Sequence, residues 1–451
     1  MSFSGASTNE HYLERQSRRE SNARSYPRRF PVALQSAKGC IVTDVDGRSY
    51  IDCLAGAGTL ALGHNHPEVI EALQQVLLSG LPLHTLDLTT PVKDRFVSDI
   101  FDTLPSILKE RARIQFCSPS GTDATEAAIK LAKTATGRDH VIAFRGAYHG
   151  MSQGSLSLMG SLGPKAALGH LVPGVHFFPY PYSFRCPFGR GPEETADLAA
   201  DYFERALNDP EGGIPLPAAV ILEAVQGEGG VIPAPASWLR RIRKVTRDLG
   251  IPLIIDEIQS GVGRTGTFYA FEKAGIVPDI ILISKAIGGG LPLAVIVYDE
   301  ALDLWQPGAH AGTFRGNQLA MAAGSKTLEV MRRDALVERA TQAGGRLRAH
   351  LEHIAAGSAY IGEVRGEGLM LGVELVDPFG RPNLQGHPAH GGAYARLVQA
   401  DVFRSGLILE TGGRDGSVLR FLPPLVISDA EIDRVADIVG SAFARLERQA
   451  A

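Results

Sequence analysis

The chain of 451 residues has a formal net charge of −4, from 45 Lys and Arg against 49 Asp and Glu, and 44% of its residues are hydrophobic. That length predicts two or three domains, and acids and bases interspersed at near parity exclude a polyanion-binding face, so no nucleic acid partner is expected. No apolar run approaches the roughly 18 to 20 residues of a membrane span, and Cys40, Cys53, Cys117 and Cys186 show neither a C-x-x-C pair nor metal-like spacing, which predicts reduced thiols in a soluble, cytoplasmic protein.

Residues 1–29 are polar. Arg15, Arg18, Arg19, Arg24, Arg28 and Arg29 suggest a transit sequence, but Glu10, Glu14 and Glu20 interrupt it, and transit sequences avoid acids. A solvated arm draped on a neighbouring subunit is expected instead. From Gly39, two short strand-like runs flank the hairpin dipeptide Asp46-Gly47. Pro67 to Leu78 shows helical spacing, and from Phe116 onward strands and helices alternate, predicting an α/β fold with a mostly parallel central sheet and helices on both faces.

Three continuous apolar runs suit strands covered on both faces: Ala218 to Leu222 ending on Glu223, Ile251 to Ile255 ending on Asp256, and Ile280 to Ile283 followed by Ser284-Lys285. The carboxyl ends of such strands are where open α/β sheets place their chemistry. Beyond Lys326 a long helix, Thr327 to Ala356, short strands around Gly362 to Leu375 and Ser417 to Phe421, and a final helix from Ser428 predict a smaller α+β domain. The expected division is an N-terminal arm and hairpin segment (1–75), a large domain (76–328) and a C-terminal small domain (329–451).

Lys285 lies between an apolar strand and the Gly288-Gly289-Gly290 run. A lysine that forms an imine needs a partly desolvated site, which lowers its pKa, and a backbone that admits a planar cofactor. Taken alone it also reads as a snorkelling or capping lysine. Asp256 ends its own strand, where a carboxylate facing a pyridine nitrogen keeps that nitrogen protonated and the ring electron-withdrawing; the ordinary alternative is a turn cap.

Ser118-Pro-Ser120-Gly121-Thr122 leads straight into a helix, whose first N–H groups, with the Thr122 hydroxyl, suit a phosphate or an ordinary N-cap. Tyr148-His149-Gly150 follows the strand-like Val141 to Phe144 and places an aromatic where it can stack on a pyridine ring. His64, His66 and His310 lack helical H-x-x-x-H spacing and convergent acids, so no metal is expected. Gly261-Val-Gly263-Arg-Thr-Gly266 matches a dinucleotide-binding pattern, but it starts beyond the turn after its strand, and no acid about 20 residues on ends a second strand. A nicotinamide cofactor is rejected.

In order and spacing, the Ser-Gly-Thr turn, Tyr148-His149-Gly150, Glu223-Ala-Val-Gln-Gly-Glu228-Gly-Gly, Asp256-Glu-Ile-Gln259-Ser-Gly-Val-Gly-Arg-Thr-Gly, Ser284-Lys285 and Gly312-Thr313-Phe resemble the class III aminotransferases, from about Arg29 to Ile438. The resemblance implies fold type I architecture, pyridoxal 5′-phosphate (PLP) as cofactor, and a homodimer with shared active sites. It implies Lys285 as the Schiff-base lysine and proton shuttle, Asp256 at the pyridine nitrogen and Gln259 beside the ring hydroxyl. Gly121 and Thr122 would bind the phosphate, joined by Thr313 from the partner subunit, with Tyr148 on the ring.

Glu228 and Arg420 resemble the family's substrate switch, in which the acid neutralises the guanidinium for a terminal amine and swings away when glutamate brings its α-carboxylate; a structural ion pair is the alternative. Within the family, Glu20 to Arg28 and Leu83 to Thr90 are most similar to members that pass the terminal amine of 2,4-diaminobutyrate to 2-oxoglutarate, giving aspartate 4-semialdehyde and glutamate. Met151 stands where ornithine- and GABA-type relatives commonly carry an arginine after His-Gly, which weakens those substrates and leaves open what holds the distal carboxylate of glutamate; an ornithine-, acetylornithine- or GABA-type aminotransferase is the alternative. Ala224 replaces a frequent proline. An aminomutase or decarboxylase would use the same lysine and aspartate, and dependence on 2-oxoglutarate separates them. A non-catalytic binding protein on this fold would need a DNA-binding appendage or a lost lysine, and neither is present.

Overall fold

The computed structural model describes residues 8–450; the first seven residues of the expected arm, and residue 451, lie outside them. The arm opens on the helix Asn9–Arg19, whose N-terminus is capped by the Thr8 hydroxyl accepting from the His11 N–H. Asn9 ties this helix to the hairpin of its own chain, its Nδ2 donating to Asp44 and Asp46 at 3.0 and 2.8 Å. The hairpin forms as expected, with Ile41–Asp44 antiparallel to Ser49–Asp52. Leu34–Lys38 joins one edge, and Leu407–Ile408 pairs in parallel with Ser49–Asp52, so one sheet takes strands from both ends of the chain.

Among the described residues the central sheet has seven strands, ordered Ala112–Phe116, Val295–Asp299, Ile280–Ile283, Leu253–Asp256, Ala219–Leu222, Val141–Phe144 and Val175–Phe178. Val295–Asp299 runs antiparallel to both neighbours, and the remaining pairs are parallel. Side chains alternate between two cores. Val220, Leu222, Ile255 and Ile283 enter one, while Ala219, Ile221, Ile254 and Leu282 enter another with Ala124, Ala128 and Leu131 of the helix Gly121–Thr136. Because both faces are covered, the strands lack polar alternation, and each buried Leu or Ile contributes roughly 1.5–3 kcal/mol.

The helix expected over Thr327 to Ala356 is in fact two. Gln318–Arg333 starts earlier, where Asn317 Oδ1 accepts from the Ala320 N–H at 3.0 Å, and spans the expected boundary at 328/329. The chain then breaks at Asp334 and Ala335, the latter left-handed with φ of 50°, before Leu336–Ala356. Neither residue is Gly or Pro, so the apolar period runs through the break unmarked. Ile361–Glu367, Met370–Asp377, Val418–Phe421 and Glu410–Gly412 follow as an antiparallel sheet. The four cysteines are free and buried, and no described helix is long and apolar enough to cross a membrane.

Candidate active site

The carboxyl ends of three neighbouring strands open on one cleft of about 260 Å³, where Glu223, Asp256 and Lys285 meet Gly121, Thr122, Tyr148, Glu228 and Gln259. Lys285 follows the strand Ile280–Ile283 through Ser284, whose hydroxyl donates to the Leu293 carbonyl at 2.7 Å. Lys285 itself has φ of 50°, a left-handed conformation that costs a non-glycine residue about 1–2 kcal/mol. Burial holds its ammonium below the usual lysine range, against the opposing pull of Glu228. A lysine biased toward the neutral amine is a competent nucleophile for a carbonyl.

Asp256 accepts from His149 Nδ1 at 2.8 Å and from the Ile258 N–H at 3.0 Å. His149 is buried, and its Nε2 has no partner among the described residues. Glu223 ties two loops together, accepting from the Tyr148 N–H at 3.0 Å and the Gly227 N–H at 2.9 Å. Burial pushes its carboxyl up to about 7, opposed chiefly by His149.

At the start of Gly121–Thr136 the Ser120 side chain makes no capping bond, which leaves the first amides of that helix to an anion. Two glycines keep this cradle open. A Cβ on Gly121 would stand 2.9 Å from Ile258 Cδ1. Gly150, at φ of 126°, backs onto Thr122 so closely that a Cβ would fall 2.3 Å from its Oγ1. Thr122 Oγ1 is oriented by Ser152, through its hydroxyl at 2.7 Å and its N–H at 3.1 Å.

Arg420 is fully buried and carries two carboxylates on Nη1, Glu228 at 2.7 Å and Glu410 at 3.4 Å. Its Nη2 donates to Gln259 Oε1 at 2.8 Å, while Gln259 Nε2 donates to the Ala57 carbonyl at 3.0 Å. Glu410 also accepts from Arg29 at 3.1 Å, so the ionic chain runs Glu228, Arg420, Glu410, Arg29. Burial raises the Glu228 carboxyl, but Arg420 and then Lys285 outweigh it and hold it below the usual range. Glu410 is pushed above that range by burial and by Glu228. The Tyr26 phenol, raised to about 12 by burial and by Glu410 and Glu228, belongs to the same cluster.

Of the residues singled out in the sequence, Thr313 is exposed and outside this cleft, and Met151 lies half exposed at its edge. His64 pairs with Asp52 at 2.8 Å. His310, Asp123 and Cys117 bring their ligand atoms within 4.8 Å of one another, a grouping their spacing does not suggest. Asp123 is engaged there as the acceptor for the Ser118 N–H at 2.7 Å and for His310 at 3.0 Å, fixing the turn before the helix. The glycine-rich Gly261 to Gly266 loop carries Arg264, which donates to the Leu369 carbonyl at 3.1 Å. The sequence reading missed Glu410, the reach of Arg29, and the pairing of His149 with Asp256. The available signal for Glu410 was a carboxylate following the apolar Leu407 to Leu409, in the strand that pairs with Arg420.

Residues 22–443 match the family model described as aminotransferase class-III. Over its full length the chain is 77% identical to the diaminobutyrate–2-oxoglutarate aminotransferase of Rhizobium meliloti (strain 1021), covering 96% of that protein. It superposes on a thermostable (S)-enantioselective omega-transaminase from Thermomicrobium roseum with a TM-score of 0.86 at 28% identity, covering 97% of this chain and 99% of that one. It also superposes on a PLP-bound amine transaminase from an uncultivated Pseudomonas species with a TM-score of 0.82 at 28% identity, covering 95% and 98% of the two chains.

Proposed function

This chain belongs to the class III aminotransferases, and from the site it builds we propose that it transfers the terminal amino group of L-2,4-diaminobutyrate to 2-oxoglutarate, reversibly, giving L-aspartate 4-semialdehyde and L-glutamate. The observation that carries this reading is the Glu228–Arg420 pair at 2.7 Å beside Lys285, supported by 77% identity to a relative named for that reaction. One pocket must accept a terminal amine in one half-reaction and an α-amino acid in the other. A buried guanidinium with a removable counter-charge meets both needs.

PLP is the cofactor of this family and, when bound, supplies the aldehyde and electron-withdrawing ring on which the amino group is carried between half-reactions. The residues fit it: the uncapped helix start at Gly121 and Thr122 for the phosphate, Asp256 for the ring nitrogen, Gln259 near the ring hydroxyl, and Tyr148 for the ring face. Lys285 would hold the aldehyde carbon. Once freed by substrate, Lys285 Nζ would act first as general base, taking the proton from the amine-bearing carbon, and then as general acid, giving it back on the cofactor side of that bond. His149 and the Ile258 N–H keep Asp256 oriented throughout. Glu228 stays on Arg420 while diaminobutyrate reacts, and leaves it when the α-carboxylate of glutamate arrives. In a homodimer, the exposed Thr313 would complete the phosphate site of the partner.

The test is incubation of the purified protein with diaminobutyrate, ornithine or 4-aminobutyrate, each with and without 2-oxoglutarate, identifying both products. Diaminobutyrate is expected to be used best and only with the acceptor present. Turnover without 2-oxoglutarate would instead indicate a mutase or decarboxylase.

A further inference from the structure

Glutamate carries two carboxylates into the cleft, and Arg420 is suited to one of them. Lys285 is committed to the transferred amine, and Met151 at the cleft edge brings no charge. Arg29 is the further cation joined to this ionic chain, through Glu410 at 3.1 Å, and it acts electrostatically on Glu228 and Tyr26 as well. It uses Nη1 on Glu410, and its other guanidinium nitrogens have no partner among the described residues. Its side chain is 39% exposed, whereas that of Glu410 is 7% exposed. Glu410 therefore anchors the guanidinium and leaves the rest of the fork accessible.

The two substrates share one dimension. In diaminobutyrate the carboxyl carbon lies three carbon–carbon bonds from the carbon whose amine is transferred. In glutamate the distal carboxyl carbon lies three bonds from its own reacting carbon. One fixed cation at that distance serves both half-reactions, whereas ornithine places its carboxylate one bond further away. Resting on the function proposed above, we propose that Arg29, delivered by the N-terminal arm and held by Glu410, binds the distal carboxylate of both diaminobutyrate and glutamate and so sets the chain length this enzyme accepts.

The experiment compares the wild type with Arg29→Gln and Arg29→Lys, measuring the two half-reactions separately and the binding of glutarate, an unreactive dicarboxylate of the same span, by calorimetry. Loss of a charge-assisted bond predicts that Arg29→Gln raises KM for diaminobutyrate and for 2-oxoglutarate about 10- to 100-fold and weakens glutarate binding in proportion. Arg29→Lys should recover part of each. Kinetics with 1,3-diaminopropane and with pyruvate, which lack the distal carboxylate, should change by less than about twofold. Unchanged glutarate binding, or equal losses with the probes lacking a carboxylate, would overturn the proposal. If the wild type uses 2-oxoglutarate but not diaminobutyrate, the functional reading fails on its own, and glutarate and 2-oxoglutarate still judge Arg29.

Discussion

Replacing Glu228 with Gln should separate the two half-reactions. The Glu228 to Arg420 contact at 2.7 Å is a charge-assisted bond of about 1.5–3 kcal/mol, and glutamate must displace it to seat its α-carboxylate. A neutral amide holds the guanidinium less firmly, by about 1 kcal/mol, so kcat/KM for glutamate should rise about fivefold. Diaminobutyrate instead meets a guanidinium that has lost one of its two counter-charges, and its kcat/KM should fall about 10- to 100-fold. The preference for glutamate over diaminobutyrate then shifts by about a hundredfold. Glu410 remains on Arg420 at 3.4 Å, so the buried charge is not orphaned and the variant should fold. Single-turnover absorbance changes of the cofactor with each donor give both numbers. Equal losses in both half-reactions would refute the switch and leave a structural ion pair.

Lys285→Ala should abolish transamination and the visible absorbance of the lysine-bound cofactor, and persistence of either in a spectrum or a coupled glutamate assay would remove the central assignment. Gly150→Ala forces a Cβ to 2.3 Å from Thr122 Oγ1 at φ of 126°, so cofactor release, followed by dialysis, should be at least tenfold faster, by roughly 1.4 kcal/mol or more. Glu257, buried beside Ser260 at 2.7 Å and the Phe271 N–H at 3.1 Å, has its carboxyl pushed up to about 7 by burial. The folded state thus favours the protonated acid. Stability from this group is fully present below the unfolded carboxyl range and is lost as pH rises toward 7, by an amount of order 3 kcal/mol. Glu257→Gln should flatten the fall of Tm between pH 4.5 and 7, and an unchanged slope would contradict the assignment.

The residues proposed to face the cofactor are legible because each sits in a short local context whose geometry the chain itself enforces. Lys285, Asp256 and Glu223 end fully buried strands, and Gly121 and Thr122 begin a helix. Once the strands are placed in a parallel sheet, their carboxyl ends converge. The unreadable features are long-range or unmarked. Arg29 meets Glu410 across 381 positions, and Leu407–Ile408 joins a sheet formed mainly near the start of the chain. The break at Asp334 and Ala335 has neither Gly nor Pro to announce it.

The two acids on Arg420 differ in how they are held, and that difference decides which can act as a switch. Glu410 lies in the strand Glu410–Gly412, in register with Arg420 itself across the antiparallel pair, so its position is set by the sheet. Glu228 lies in a loop between Gly227 and Gly229-Gly230, with Gly230 at φ of 119°, and its side chain is 32% exposed against 7% for Glu410. Removing both acids from a fully buried guanidinium would leave an uncompensated charge, at a cost of about 3–5 kcal/mol. With Glu410 held by the sheet and Glu228 on a partly exposed loop, Arg420 could exchange one counter-charge for a substrate carboxylate without being left unpaired. In the proposed switch the strand-held acid is what would allow the loop-held acid to leave, and its second contact, to Arg29 at 3.1 Å, joins the same ionic chain to the cation proposed for the distal carboxylate.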